Sequence, residues 1–207
     1  MFPDPQLHHA DPYLLVAEKP AGLLSVPGRT PENHDCLVTR LQRAHPDALT
    51  VHRLDQVTSG LMLYALGKDM QAALSGLFER RQVSKRYEAL VEGEVAGESG
   101  EIALPLICDW PNRPRQMVDH ERGKPALTRW QRLDYDPVLD RTRLRLEPVT
   151  GRSHQLRVHL ASLGHPIVGD VFYGARPAPR VCLHACELSF IHPATGQALV
   201  LHSPAPF

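Results

Sequence analysis

Three stretches of the sequence concentrate side chains able to do chemistry. HRLDQVTSG at 52–60 sets a carboxylate, Asp55, two residues after Arg53 in a polar run closed by glycine. An acid on such a loop can project into a cleft and serve as a base or a nucleophile. Most loop aspartates only form turns or caps, and spacing alone favours that plainer reading of Asp55. GRSHQLRVHL at 151–160 reads as a helix with Arg157 one turn after Ser153 and His154, beside an apolar stripe of Leu156, Leu160 and Leu163. A guanidinium at the border of a buried face needs an acidic partner. His154 and His159 are five apart, so they do not make a zinc pair on one helical face. KRYEA at 85–89 offers Tyr87, which by alternation alone reads as core.

Other chemistries find little support. The four cysteines are Cys36, Cys108, Cys182 and Cys186, and CLHAC at 182–186 brings His184 between the last two. That segment alternates like a strand, no second ligand pair lies at zinc-like spacing, and the thiols read as packed; no metal is expected. A P-loop and dinucleotide-binding glycines are missing, so no cofactor is expected either. No apolar run approaches the roughly 20 residues of a membrane span. The first fifteen residues lack the basic start and apolar core of a signal peptide. A cytoplasmic protein is expected.

The formal net charge is 0, which is awkward for a nucleic-acid enzyme. Its distribution says more. Residues 87–110 carry six acids and no Lys or Arg, whereas 111–160 carry eleven bases against six acids. This segregation suits one basic face toward a polyanion and one acidic back, although scattered solvated charge is the simpler reading.

The elements that must position these groups follow from period and punctuation. With 207 residues, a single domain over 1–207 is expected, with 1–10 as a loose leader. A buried strand at 13–18 ends at Lys19-Pro20, a helix at 36–44 stops before Pro46, and 61–66 is a second buried strand. Asp69 can cap a helix to about residue 80 with Ala73, Leu74, Leu77 and Phe78 inside. A strand follows at 85–92. Residues 105–127, rich in proline, glycine and bases, form a long excursion of the kind that carries function. Strands at 128–135 and 141–147 flank Asp136-Pro137. A helix capped by Ser153 runs to 163, where Gly164 and Pro166 stop it. Strands at 181–191 and 197–201 close the chain. Without a βαβ rhythm, the class is α+β.

HRLDQVTSG, KRYEALVEG (85–93), GRSHQLRVHL and GDVFYG (169–174) stand in the order and spacing of the RluA-type pseudouridine synthases, which the chain resembles from about residue 13 onward. LICDWPNRPR at 106–115 is similar to the branch of that family that modifies both ribosomal and transfer RNA. Ser153 departs from the threonine of many relatives, and the S4-like N-terminal domain that several carry is not expected here. The resemblance implies a mixed, mostly antiparallel central sheet with flanking helices and a cleft between two halves. It implies an isomerase that converts uridine to pseudouridine without cofactor or metal.

Asp55 then matches the catalytic aspartate, Arg157 the arginine paired with it, and Tyr87 the tyrosine that packs on the uracil and can help remove its C5 proton. Arg53 matches the arginine that enters the RNA stack, and Leu183 an apolar residue lining the pocket. The carboxylate would be kept ionised by the Arg157 charge. Arg113, Arg115, Arg122 and Lys124 of the excursion are candidates for gripping phosphates. The expected partner is structured RNA, a tRNA anticodon stem-loop and a similar 23S rRNA hairpin, bound by a monomer. Alternatives are a synthase acting on only one of these RNAs, or a non-catalytic RNA-binding protein on the same scaffold. A nucleosidase is less favoured, because glycoside hydrolysis usually pairs two carboxylates and no second acid closely flanks the motif.

Overall fold

The computed structural model describes residue 2 and residues 4–207. The chain divides into two compact units, residues 1–85 with 184–206, and residues 86–183 with 207.

The first unit grows around β4 (Ser59–Leu66), seven of whose eight residues are buried. Such a strand needs neighbours on both edges. β2 (Leu14–Lys19) pairs antiparallel with it from Leu14↔Ala65 to Lys19↔Gly60. On the other edge, β3 (Ala48–Thr50) pairs antiparallel with the end of β4, and β11 (Leu183–Ile191) pairs parallel at its start, His184↔Ser59 and Ala185↔Gly60. β12 (Ala198–His202) adds to β11. Gly60 has φ +114°, and a Cβ there would run into the Ala185 carbonyl, so only glycine allows β11 this close.

Apolar residues of the sheet meet α2 (Lys68–Glu79). Leu14, Val16, Leu61, Leu63, Leu188 and Phe190 pack with Met70 and Leu74, and Ala73, Leu77 and Phe78 close over them. The expected inner stripe is therefore the packed face. Asp69 is not the cap: Gly67 holds that position, and Asp69 lies in the first turn. The short α1 (Leu37–Leu41) is the helix expected at 36–44, trimmed at both ends.

The loose leader needs correction. Positions 1 and 3 lie outside the described residues, but β1 (Gln6–Ala10) is a strand paired antiparallel with β2. Polar side chains tie it down where apolar burial cannot. His8 Nε2 meets Glu18 at 2.8 Å, and His9 Nε2 meets Asp11 at 2.7 Å.

The second unit is an antiparallel sheet in the order β5 (Ser84–Glu92), β10 (Arg141–Pro148), β9 (Thr128–Asp136), β6 (Ser99–Ile102). The first two residues of β5, Ser84 and Lys85, belong to the first unit. The 105–127 excursion is more ordered than a proline-rich loop suggests. β7 (Leu106–Cys108) and β8 (Gln116–Val118) make a small antiparallel pair, and Leu106 and Val118 pack with Val158 and Ala161 of α3 (Gln155–Ser162). Among the described residues no helix is long and apolar enough to cross a membrane.

The charges segregated along the sequence partly meet in the fold, in keeping with the simpler reading of scattered charge. Antiparallel pairing sets the acids of 87–110 beside bases far along the chain: Arg143 on Glu88 at 3.1 Å, Arg132 on Glu94 at 3.4 Å, Arg129 on Glu101 at 2.8 Å. Three of the six acids thus meet bases of 111–160.

Candidate active site

In the first unit, the loop carrying Arg53 and Asp55 is fixed at the residues on either side of the acid. The Ser25 hydroxyl donates to the Leu54 carbonyl at 2.7 Å and accepts from the Leu54 N–H at 3.1 Å. The Gln56 carbonyl accepts from Gly22 N–H at 2.8 Å and from the Lys19 ammonium at 3.0 Å. Lys19 is fully buried and donates also to the carbonyls of Leu23 and Pro20. The Gln56 side chain returns a bond to Gly22 O at 3.0 Å, and Thr58 N–H closes the turn on Asp55 O at 3.0 Å. Backbone groups held this way have little freedom. Asp55 is half-buried and Arg53 exposed.

The entry and exit of the loop are fixed as well. His52 Nε2 accepts from Leu63 N–H at 2.9 Å and its ring stacks on Phe78 at 4.6 Å. Burial, with the Lys85 charge nearby, pushes its pKa down to about 3, as an acceptor nitrogen requires. At the exit, a hydrogen-bond chain runs inward. Ser203 donates to Glu18 at 2.6 Å, so it accepts from His184 Nε2 at 3.0 Å. His184 Nδ1 then accepts from the Ser59 hydroxyl at 2.8 Å. His184 is thus engaged at both nitrogens between two serines. Among the described residues no group of three or more His, Cys, Asp or Glu side chains could hold a metal ion.

In the second unit, Tyr87 sits on β5 opposite Leu146. It is half-buried on the same face as Ala89 and Val91, while Arg86 is exposed. Leu183, at the start of β11, is buried. α3 differs from the expected amphipathic helix, because all of Gln155–Leu160 is buried and Leu163 is exposed. Ser153 is not its cap. His154 occupies that position with φ +53° and without a side-chain cap bond, while Gln155 Oε1 ties down the residues before the helix, accepting from Thr150 Oγ1 at 2.7 Å and Arg152 N–H at 3.0 Å. His159 donates from Nε2 to Leu104 O at 3.0 Å and accepts at Nδ1 from Thr128 at 2.9 Å, which makes it a packed core histidine.

Arg157 is 5% exposed. Within its own unit the acid it meets is Asp170, with Nε and Nη2 on the two carboxylate oxygens at 2.6 and 2.9 Å. The rings of Tyr173 and Phe172 lie 4.9 and 5.8 Å from the guanidinium. GDVFYG was legible as a motif, but sequence reasoning nominated none of its residues. The signal was the demand of a buried guanidinium for a carboxylate thirteen residues on.

The excursion residues Arg113, Arg115, Arg122 and Lys124 are all exposed. Arg113 lies over the Trp110 ring at 4.6 Å, Arg115 over Tyr173 at 5.6 Å, and Arg122 pairs with Asp119 at 3.2 Å. Lys124 is held through its backbone against Leu106. Such exposed pairings are weak, so phosphates can replace them.

This architecture is that of RNA-modifying isomerases. The solved structure of human RNA pseudouridylate synthase domain containing 1 superimposes with a TM-score of 0.82 at 29% identity, covering 100% of this chain and 87% of that one. Human RNA pseudouridylate synthase domain containing 4 gives 0.76 at 27% identity, covering 97% and 88%. The RNA pseudouridylate synthase family model matches residues 13–162, and the chain belongs to that family. It is 52% identical over 204 residues to the dual-specificity RNA pseudouridine synthase RluA of Vibrio vulnificus (strain CMCP6), covering 95% of this chain and 82% of that protein. To the RluA of Pasteurella multocida (strain Pm70) it is 48% identical over 210 residues, covering 99% and 95%. The resemblance carried by the four motifs is correct, and the enzyme is an isomerase converting uridine to pseudouridine in RNA.

Proposed function

We propose that this enzyme modifies uridines in two RNAs, a tRNA anticodon stem-loop and a 23S rRNA hairpin, as a cytoplasmic monomer needing no cofactor. Its two units act as one catalytic domain. The observation that carries the reading is near-full-length identity to dual-specificity synthases, together with a motif acid whose flanking residues are fastened on both sides.

Isomerisation breaks the N1–C1′ bond, turns the base and joins C5 to C1′. The C5 proton is lost and N1 gains one, so mass is unchanged. Asp55 is the catalytic carboxylate, attacking C1′ or acting there as a base on the way to a glycal. Arg157 supplies a fixed positive charge to the same step. Tyr87 packs against the uracil, offering an apolar face and a hydroxyl, and Leu183 is an apolar wall. Extruding the nucleotide costs a few kcal/mol, which Arg53 offsets by stacking where the base has left. Arg113, Arg115, Arg122 and Lys124 grip phosphates.

Chemical mapping of pseudouridine in transcripts of both RNAs after incubation with the protein tests this. A site of unchanged mass in each supports it. Modification of one transcript only would limit the enzyme to that RNA, and binding without modification would make it an RNA-binding protein.

A further inference from the structure

We infer that Asp170 is a positioning residue that fixes the plane of Arg157, an inference resting on the role proposed for Arg157 above. The two side chains are 6% and 1% exposed and joined by two parallel bonds. A bidentate fork sets direction as well as distance. With Nε and Nη2 committed to Asp170, Arg157 acts on the reaction through its Nη1 side and in one orientation.

The segment carrying Asp170 is built to hold that orientation. Gly169 has φ +82°, and a Cβ there would meet the Arg180 carbonyl. Asp170 N–H donates to Ile167 O at 2.9 Å, and its carbonyl accepts from Tyr173 and Ala175 N–H at 3.0 and 3.2 Å. Tyr173, whose ring lies against the guanidinium, is fixed at its hydroxyl. It accepts from Gln116 N–H at 2.9 Å and shares a hydrogen bond of 2.6 Å with His154 Nδ1. That last bond also holds His154 in its left-handed conformation at the start of the helix bearing Arg157. One turn thus grips the arginine directly and its helix indirectly.

A carboxylate that only neutralised a buried cation would affect folding and not the chemical step. The two roles separate in a mutant cycle measured by single-turnover isomerisation at saturating stem-loop RNA. Asp170→Asn keeps shape and one acceptor but loses the fork. It should lower the rate on the order of 10–100-fold, with RNA affinity within about twofold. Arg157→Lys should also be slow, and adding Asp170→Asn to it should cost almost nothing more, since the acid acts only through the fork. If Asp170→Asn does not fold, Tyr173→Phe, which releases the ring but keeps the ion pair, should show the same non-additivity with Arg157→Lys. Wild-type rates in the folded Asp170 or Tyr173 variant, or losses that multiply in the double variant, would overturn the inference alone. A fully active Arg157→Lys would overturn the role of Arg157 on which it rests.

Discussion

Between Leu54 and Gln56 the backbone has each of its polar groups named above tied to Ser25, Gly22 or Lys19, and Asp55 inherits that rigidity. A catalytic carboxylate is useful only if it waits in place, because ordering it during the reaction would cost entropy. His52 performs the same service at the loop entry, and it carries a pH signature. Its pKa near 3, against an ordinary 6.5, means that the unfolded chain takes up a proton more readily than the fold between those values. The stability from neutral His52 is therefore fully present above pH 6.5. It is lost as pH falls toward 3, by up to about 1.4 kcal/mol per pH unit. Urea unfolding at pH 7 and pH 5 should show this loss, and His52→Gln should shrink it; an unchanged difference would remove His52 as its source. The nominations of Asp55 and Arg157 came from motifs read in register. Asp170 was missed because its pairing with Arg157 depends on a turn whose shape nothing local announces.

At the level of elements, period and punctuation gave most strands and helices within a few residues. The failures share a cause. The leader at 1–10 looked loose because it lacks apolar alternation, yet β1 pairs with β2 along its backbone and His8 reaches Glu18 across the pair. Asp69 and Ser153 looked like caps because their residue types suit the task, but Gly67 and His154 stand at the N-cap positions, neither with a side-chain cap bond. The excursion looked irregular, yet β7 and β8 brace it against α3, presenting its bases on a firm support. Replacing Arg113, Arg115, Arg122 and Lys124 singly by Gln should weaken RNA binding. Each lost phosphate contact should flatten the salt dependence by about 0.7–0.9 in log–log slope. Single-turnover rates at saturating RNA should stay within a few-fold of wild type. A collapsed rate there would place these residues in the chemistry instead.

For the molecule as a whole, family membership was legible because four motifs in register are far more specific than any one. The charge distribution was not. Whether acids and bases separated in sequence form opposite faces or meet depends on strand order, and here Glu88, Glu94 and Glu101 come to lie beside Arg143, Arg132 and Arg129. With a formal net charge of 0, the proposed binding of RNA would draw on shape and a few placed arginines. In the function proposed above, one carboxylate, Asp55, serves one isomerisation. Tritium release from a stem-loop carrying uridine labelled at C5, under single-turnover conditions, tests it most directly with wild type and Asp55→Asn side by side. The wild type should release tritium and the variant none above background, with RNA affinity within a few-fold. Release by Asp55→Asn at a rate near wild type would contradict the role proposed for Asp55.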